Sequence, residues 1–119
     1  MIKKILAALI ISSVPAFGFA DVATVQNVKV VKTSGAFTFD VTISHADSGW
    51  DDYADIWRIK DAQGNVLGER VLAHPHVNEQ PFTRSLSGVK IPAGVTQIFV
   101  EAHDTVNGWN PQAKAVTLP

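Results

Sequence analysis

"AFTFDVTISH", residues 36–45, alternates strictly: Phe37, Phe39, Val41, Ile43 and His45 fall on one parity and Thr38, Asp40, Thr42 and Ser44 on the other. Successive side chains of an extended chain point to opposite faces, so this run predicts a strand with one face in a core and one in water. A two-residue period is incompatible with a helix, which would scatter these apolar residues around its axis.

The same period extends outward from it. "VQNVKVVK" (25–32) predicts a strand ahead of it, joined through Ser34 and Gly35. "ADIWRIKDAQGNVLGERVLA" (54–73) predicts two strands around "DAQGN", where Gly64 and Asn65 offer the positive φ of a short hairpin. "FTRSLSGV" (82–89), "VTQIFVEAHD" (95–104) and "AKAVTLP" (113–119) complete a set of seven, with no helical period, repeat or low-complexity tract between them. Seven short strands in roughly a hundred residues predict an all-β, antiparallel two-sheet sandwich.

The chain resembles the immunoglobulin and fibronectin type III superfamily over residues 21–119. The likeness rests on strand number and on Trp57, which is in phase with Ile59 where such domains carry a core tryptophan. The resemblance implies a seven-stranded immunoglobulin-like β-sandwich. The paired cysteines of immunoglobulin domains are absent, and no tyrosine precedes the middle of the sixth strand. Architecture of this kind implies no particular activity. The run "HPHVNEQPFTRSL" also resembles short secreted bacterial proteins of unassigned activity.

Residues 1–20, "MIKKILAALIISSVPAFGFA", combine Lys3 and Lys4, an apolar run and a small-x-Ala ending. This predicts a cleaved signal peptide, too short and wrongly flanked for a membrane span, followed by one domain over 21–119. The expected destination is the periplasm or the exterior, without membrane insertion after cleavage. Cysteine is absent from the 119 residues, so there is no disulfide, thiolate ligand or cysteine nucleophile. Without Lys3 and Lys4, eight basic residues face eleven acidic ones, and nothing basic enough to track nucleic acid remains.

Consecutive strands of a sandwich run oppositely, so their connections alternate between two ends. The turns "TSGA", "DAQGN" and "KIPAG" share one end and are chemically plain. The other end receives "HADSGWDDYAD" (45–55), "HPHVNEQP" (74–81) and "HDTVNGWNPQ" (103–112), and with them all four histidines. Loops on a rigid scaffold are where binding residues collect.

Two uses of that end follow. Residues i and i+2 of an extended chain share a face, so His74 and His76 are candidate metal ligands, with His45 and His103 as further ones and Glu79 or Asp104 orienting a ring. Imidazoles suit zinc or cupric copper, making one Zn or Cu(II) ion the expected cofactor. Alternatively Trp50, Tyr53 and Trp109, with Asp51 and Asp52, offer a metal-free surface for a glycan or protein partner. No catalytic motif is present: Ser44 and His45 face opposite ways on their strand and cannot form a nucleophile pair.

Overall fold

The computed structural model describes residues 21–119, so the signal-peptide expectation for 1–20 lies outside the described residues. These residues form eight strands and no helix: β1 (Thr24–Thr33), β2 (Ala36–Ser44), β3 (Ala54–Lys60), β4 (Val66–Val71), β5 (Phe82–Val89), β6 (Gln97–Asp104), β7 (Gly108–Trp109) and β8 (Lys114–Thr117). Every pairing is antiparallel. One sheet has the order β1-β2-β5; the other runs β4-β3-β6, with β7 and β8 pairing successive stretches of β6.

Seven strands were expected and β7 is the eighth. Asp104 Oδ1 accepts the backbone N–H groups of Val106 and Asn107, and Gly108 adopts φ +80°, so the chain turns back at once and sets Trp109 opposite His103. In the "DAQGN" turn Gly64 takes the positive φ (+89°), but Asn65 does not. Its N–H and side-chain amide donate to Asp61 instead, and these bonds hold the Asp61 carboxyl below its ordinary pKa.

One continuous core joins both sheets. Phe37, Phe39, Val41 and Ile43 of β2 are buried, as their parity requires, and β5 adds Phe82 and Val89. The larger sheet contributes Trp57 and Ile59 of β3 and Ile98, Val100 and Ala102 of β6. Each large side chain removed from water stabilises the fold by about 1.5–3 kcal/mol, which lets the domain fold without a disulfide. Both inward rows end in polar groups at the same end of the molecule. The β2 row continues into His45, 4% exposed, and the β6 row into Asp104, wholly buried.

On the outer face of the larger sheet, Arg58 Nε and Lys60 Nζ donate to the two oxygens of Glu101 at 2.8 and 3.2 Å. Burial works to raise the Glu101 pKa, but the hydrogen bonds and charges of Arg58 and Lys60 prevail and lower it. A carboxyl depressed in the fold contributes stability above its ordinary range and loses it as pH falls through the folded value. Glu101→Gln is therefore expected to cost about 1 kcal/mol near neutrality, with the difference vanishing in acid. Urea unfolding of both proteins at a series of pH values checks this.

Candidate metal centre

The three long connections do converge on one end, and Asp47 fastens the first of them to the second. Its Oδ1 accepts His45 Nδ1–H at 2.7 Å and the Ala54 N–H at 3.0 Å, and its Oδ2 accepts the His76 N–H at 2.7 Å. Gln80 reinforces this junction: its Oε1 accepts the His45 N–H at 3.0 Å, and its Nε2 donates to the His76 carbonyl at 3.0 Å. Thr105 fastens the connection after β6 to the one after β2, accepting the Tyr53 N–H and donating to the Asp51 carbonyl, each at 3.2 Å. Buried backbone donors need such partners, and here side chains supply them.

With Nδ1–H committed to Asp47, the His45 ring presents Nε2 to the interior. Three carboxylates surround that atom: Asp21 Oδ1 at 3.4 Å, Asp52 Oδ1 at 3.6 Å and Asp104 Oδ2 at 3.7 Å. None forms a hydrogen bond with it, and both His45 Nε2 and Asp52 Oδ1 are buried without a partner. The ligand atoms of Asp21, His45 and Asp52 all lie within 4.8 Å of one another, and theirs is the only such group of three potential ligands among the described residues.

The spacing fits a metal. Zinc bonds nitrogen and carboxylate oxygen at about 2.0–2.2 Å, and a tetrahedron with such bonds has edges of about 3.3–3.6 Å. Asp47 on the far nitrogen supplies the carboxylate–histidine pairing that fixes ring orientation at metal sites. A zinc-sized ion suits this set of one nitrogen and two oxygens, with Asp104 alongside, better than cupric copper, which favours tetragonal, nitrogen-rich sites.

The electrostatics are those of a cation site. Burial acts to lower the His45 pKa, yet the hydrogen bond to Asp47 and the charges of Asp21, Asp104 and Asp47 outweigh it, and the ring is held above its ordinary value. Burial, and next the neighbouring charge of Asp21, push the Asp52 carboxyl up. Like charges this close raise one another's pKa, and either a protonated His45 or a bound cation relieves them.

The other imidazoles lie elsewhere. His76 is buried, stacked on Phe82 with centroids 3.9 Å apart, and its Nε2 accepts from Arg84 Nη2 at 2.8 Å. Burial, with the Arg84 and His74 charges, lowers its pKa. His74 is exposed beside it, ring centroids 4.6 Å apart, its Nδ1 at 3.0 Å from the Pro75 carbonyl. His103 has the outward parity of β6, so it lies on the sheet exterior, where its Nδ1 meets Asp55 at 2.6 Å and its ring meets Trp109 edge-on.

Among the candidate recognition residues, Trp50 is 66% exposed and packs edge-on against Tyr53 at 5.6 Å. Asp51 lies exposed next to Trp50, and Glu79 reaches Arg84 at 3.4 Å. Trp109 is half-buried beneath the Arg58 guanidinium, 3.7 Å from its ring centre.

Two members of the cluster escaped sequence reasoning. Asp21 looked like the first residue after a leader, and Asp47 like one loop acid among many; nothing local marks either. Asp104 was placed outside the ligands, although its inward parity after Ile98, Val100 and Ala102 was readable.

The fold and site together define an all-β protein of two antiparallel sheets whose loop end encloses a carboxylate–imidazole cluster. Over 95 residues the chain is 40% identical to a protein of Halomicrobium mukohataei named "Putative lipoprotein", a match covering 79% of this chain and 46% of that protein. The chain thus spans less than half the length of that relative. No family model and no solved structure matches it. No helix among the described residues is long and apolar enough to cross a membrane.

Proposed function

We propose that this chain is an exported, immunoglobulin-like binding module that holds one divalent cation, with zinc preferred over copper, through His45, Asp21 and Asp52, with Asp104 beside them. The observation that carries the reading is His45 Nε2: a buried, unpartnered nitrogen directed among three carboxylates, with its ring fixed from behind by Asp47. The immunoglobulin-like assignment is supported by strand order. The first, second and fifth strands share one sheet and the third, sixth and last the other, as in immunoglobulin domains, while the fourth pairs with the third. The leader-like residues 1–20 and the lipoprotein name of the relative support export to the cell envelope, periplasm or exterior.

Zinc titration of the purified, metal-free protein by calorimetry, with elemental analysis of the loaded form, tests the site. One equivalent is expected to bind. Asp52→Asn is expected to weaken binding at least about tenfold. The same change should raise the stability of the metal-free protein, because a carboxyl whose pKa is raised by folding destabilises the fold while ionised. A His74→Ala/His76→Ala double variant is expected to bind zinc normally. Loss of binding in that variant, with Asp52→Asn unaffected, would move the site to the H-x-H pair.

The exposed Trp50, braced by Tyr53, favours a second reading as a metal-free surface for a glycan or protein. Fluorescence quenching by a glycan panel in the absence of zinc, lost in Trp50→Ala, would select it.

A further inference from the structure

Asp21 stands at two junctions at once. In the sequence it is the first residue after Gly18-Phe19-Ala20, the small-x-Ala ending of the expected leader. In the fold it belongs to the carboxylate–imidazole cluster. Its Oδ1 lies 3.4 Å from His45 Nε2 and accepts the Ala46 N–H at 3.2 Å, and its carbonyl accepts from Asn107 Nδ2 at 3.0 Å. Side chain and carbonyl are thus anchored to two different connections. The α-nitrogen of the same residue is held beside the cluster with them, because an aspartate's nitrogen and its own carboxylate oxygens stand within about 5 Å in any rotamer.

Hydrolysis changes what that nitrogen is. While Ala20 is joined to Asp21, its lone pair is delocalised into the peptide carbonyl and it is no ligand for a metal. Cleavage by a leader-removing protease adds one water across the bond, leaving a carboxylate on Ala20 and an amine on Asp21. An α-amine has an ordinary pKa of about 7.7–8.0, so near neutrality it yields its proton to a metal far more readily than a lysine does. Closing on one ion, the amine and the carboxylate of Asp21 form a six-membered chelate ring.

The cluster lacks such a donor. His45 Nε2 is buried and unpartnered, and Asp21, His45 and Asp52 offer three ligands where a zinc ion takes four. Asp104 is already engaged: Oδ1 accepts the Val106 and Asn107 N–H groups, and Oδ2 accepts the Ala23 N–H at 3.3 Å. These distances belong to the chain with Ala20 still joined to Asp21, so the uncleaved chain has the same three side-chain ligands and lacks only the amine.

We propose that removal of the leader completes the metal site. The new α-amino group of Asp21 joins the Asp21, His45 and Asp52 side chains as a fourth ligand, so the processed protein holds the ion tightly and its precursor does not. This rests on the metal-site reading above and on cleavage after Ala20.

Two chains test it: the mature form beginning at Asp21, and a form that retains Gly18-Phe19-Ala20 ahead of it. Zinc titration by calorimetry is expected to show binding at least about tenfold tighter in the mature form. Cobalt(II), bound in place of zinc, is expected to absorb at shorter wavelength in the mature form, because an amine is a stronger-field ligand than water or a carboxylate. N-terminal sequencing of the full chain after export in a bacterial host is expected to begin at Asp21. Equal zinc affinities overturn the inference and leave the side-chain site standing. Tighter binding with unchanged cobalt bands assigns the difference to crowding by residues 18–20 and overturns it too. A processed protein that begins at another residue overturns the inference alone, and no zinc uptake by either chain overturns it together with the metal-site reading.

Discussion

Zinc at one hundred times its dissociation constant is expected to raise the thermal midpoint of the wild-type protein by roughly 10–20 °C and to leave His45→Ala unmoved. A ligand that binds only the folded state at that excess stabilises by about 2.7 kcal/mol, and a domain of this size shifts by about 4–8 °C per kcal/mol. The unfolded chain offers no competing site, because Asp21, His45, Asp52 and Asp104 come together only when both sheets and their loops are in place. Acidification should diminish the effect, since imidazole and carboxylates must be deprotonated to bind the ion. Scanning calorimetry of both proteins with and without zinc measures it. A wild-type shift under 2 °C at saturating zinc, or an equal one in His45→Ala, removes His45 from the site.

Asp47→Ala is expected to be severely destabilising even without metal, by roughly 3 kcal/mol or more. Its carboxylate accepts from the His45 ring, the Ala54 N–H and the His76 N–H, and all three donors are buried. A buried donor deprived of its acceptor costs about 1–3 kcal/mol, and water has little access to replace the lost oxygens. Zinc affinity should fall at the same time by about ten- to a hundredfold, the usual consequence of removing the group that orients a ligating imidazole. Asp47→Asn keeps one acceptor oxygen and should lie between the two. Urea unfolding of the metal-free proteins separates the stability loss from the binding loss. A cost below 1 kcal/mol would mean that the first two loops are joined by something other than this residue.

Much of the scaffold was legible because alternation is local. Phe37, Phe39, Val41 and Ile43 are placed on an inward face by parity, Trp57 with Ile59 by the family resemblance, and all are buried. Parity also puts His45 in line with the core. The two-residue β7 was not legible, because it depends on Asp104 capturing two loop N–H groups, a choice no periodicity records.

The end of the molecule that carries the candidate cluster was legible, and the residues that form it were not. Strand direction gathers these loops at one end, and within them the H-x-H pair has the spacing of a clamp. His76 instead turns its nitrogen to Arg84 and its face to Phe82, since an imidazole pressed against a core is better satisfied by a flat neighbour and one donor than by an exposed ion.

By itself, then, the sequence determined the strands, their buried faces and the end of the molecule that carries the polar chemistry. Each of these follows from the backbone's two-residue repeat and from the reversal of direction at every turn. Only the tertiary structure decided which atoms meet. Asp47 reaches a backbone N–H 29 positions away, and the Asp104 carboxylate lies against the backbone of Ala23, 81 positions off. Contacts at such separations are fixed by how two sheets settle on a shared core and draw their loops together, a collective balance of packing and buried hydrogen bonds that no short stretch of residues encodes.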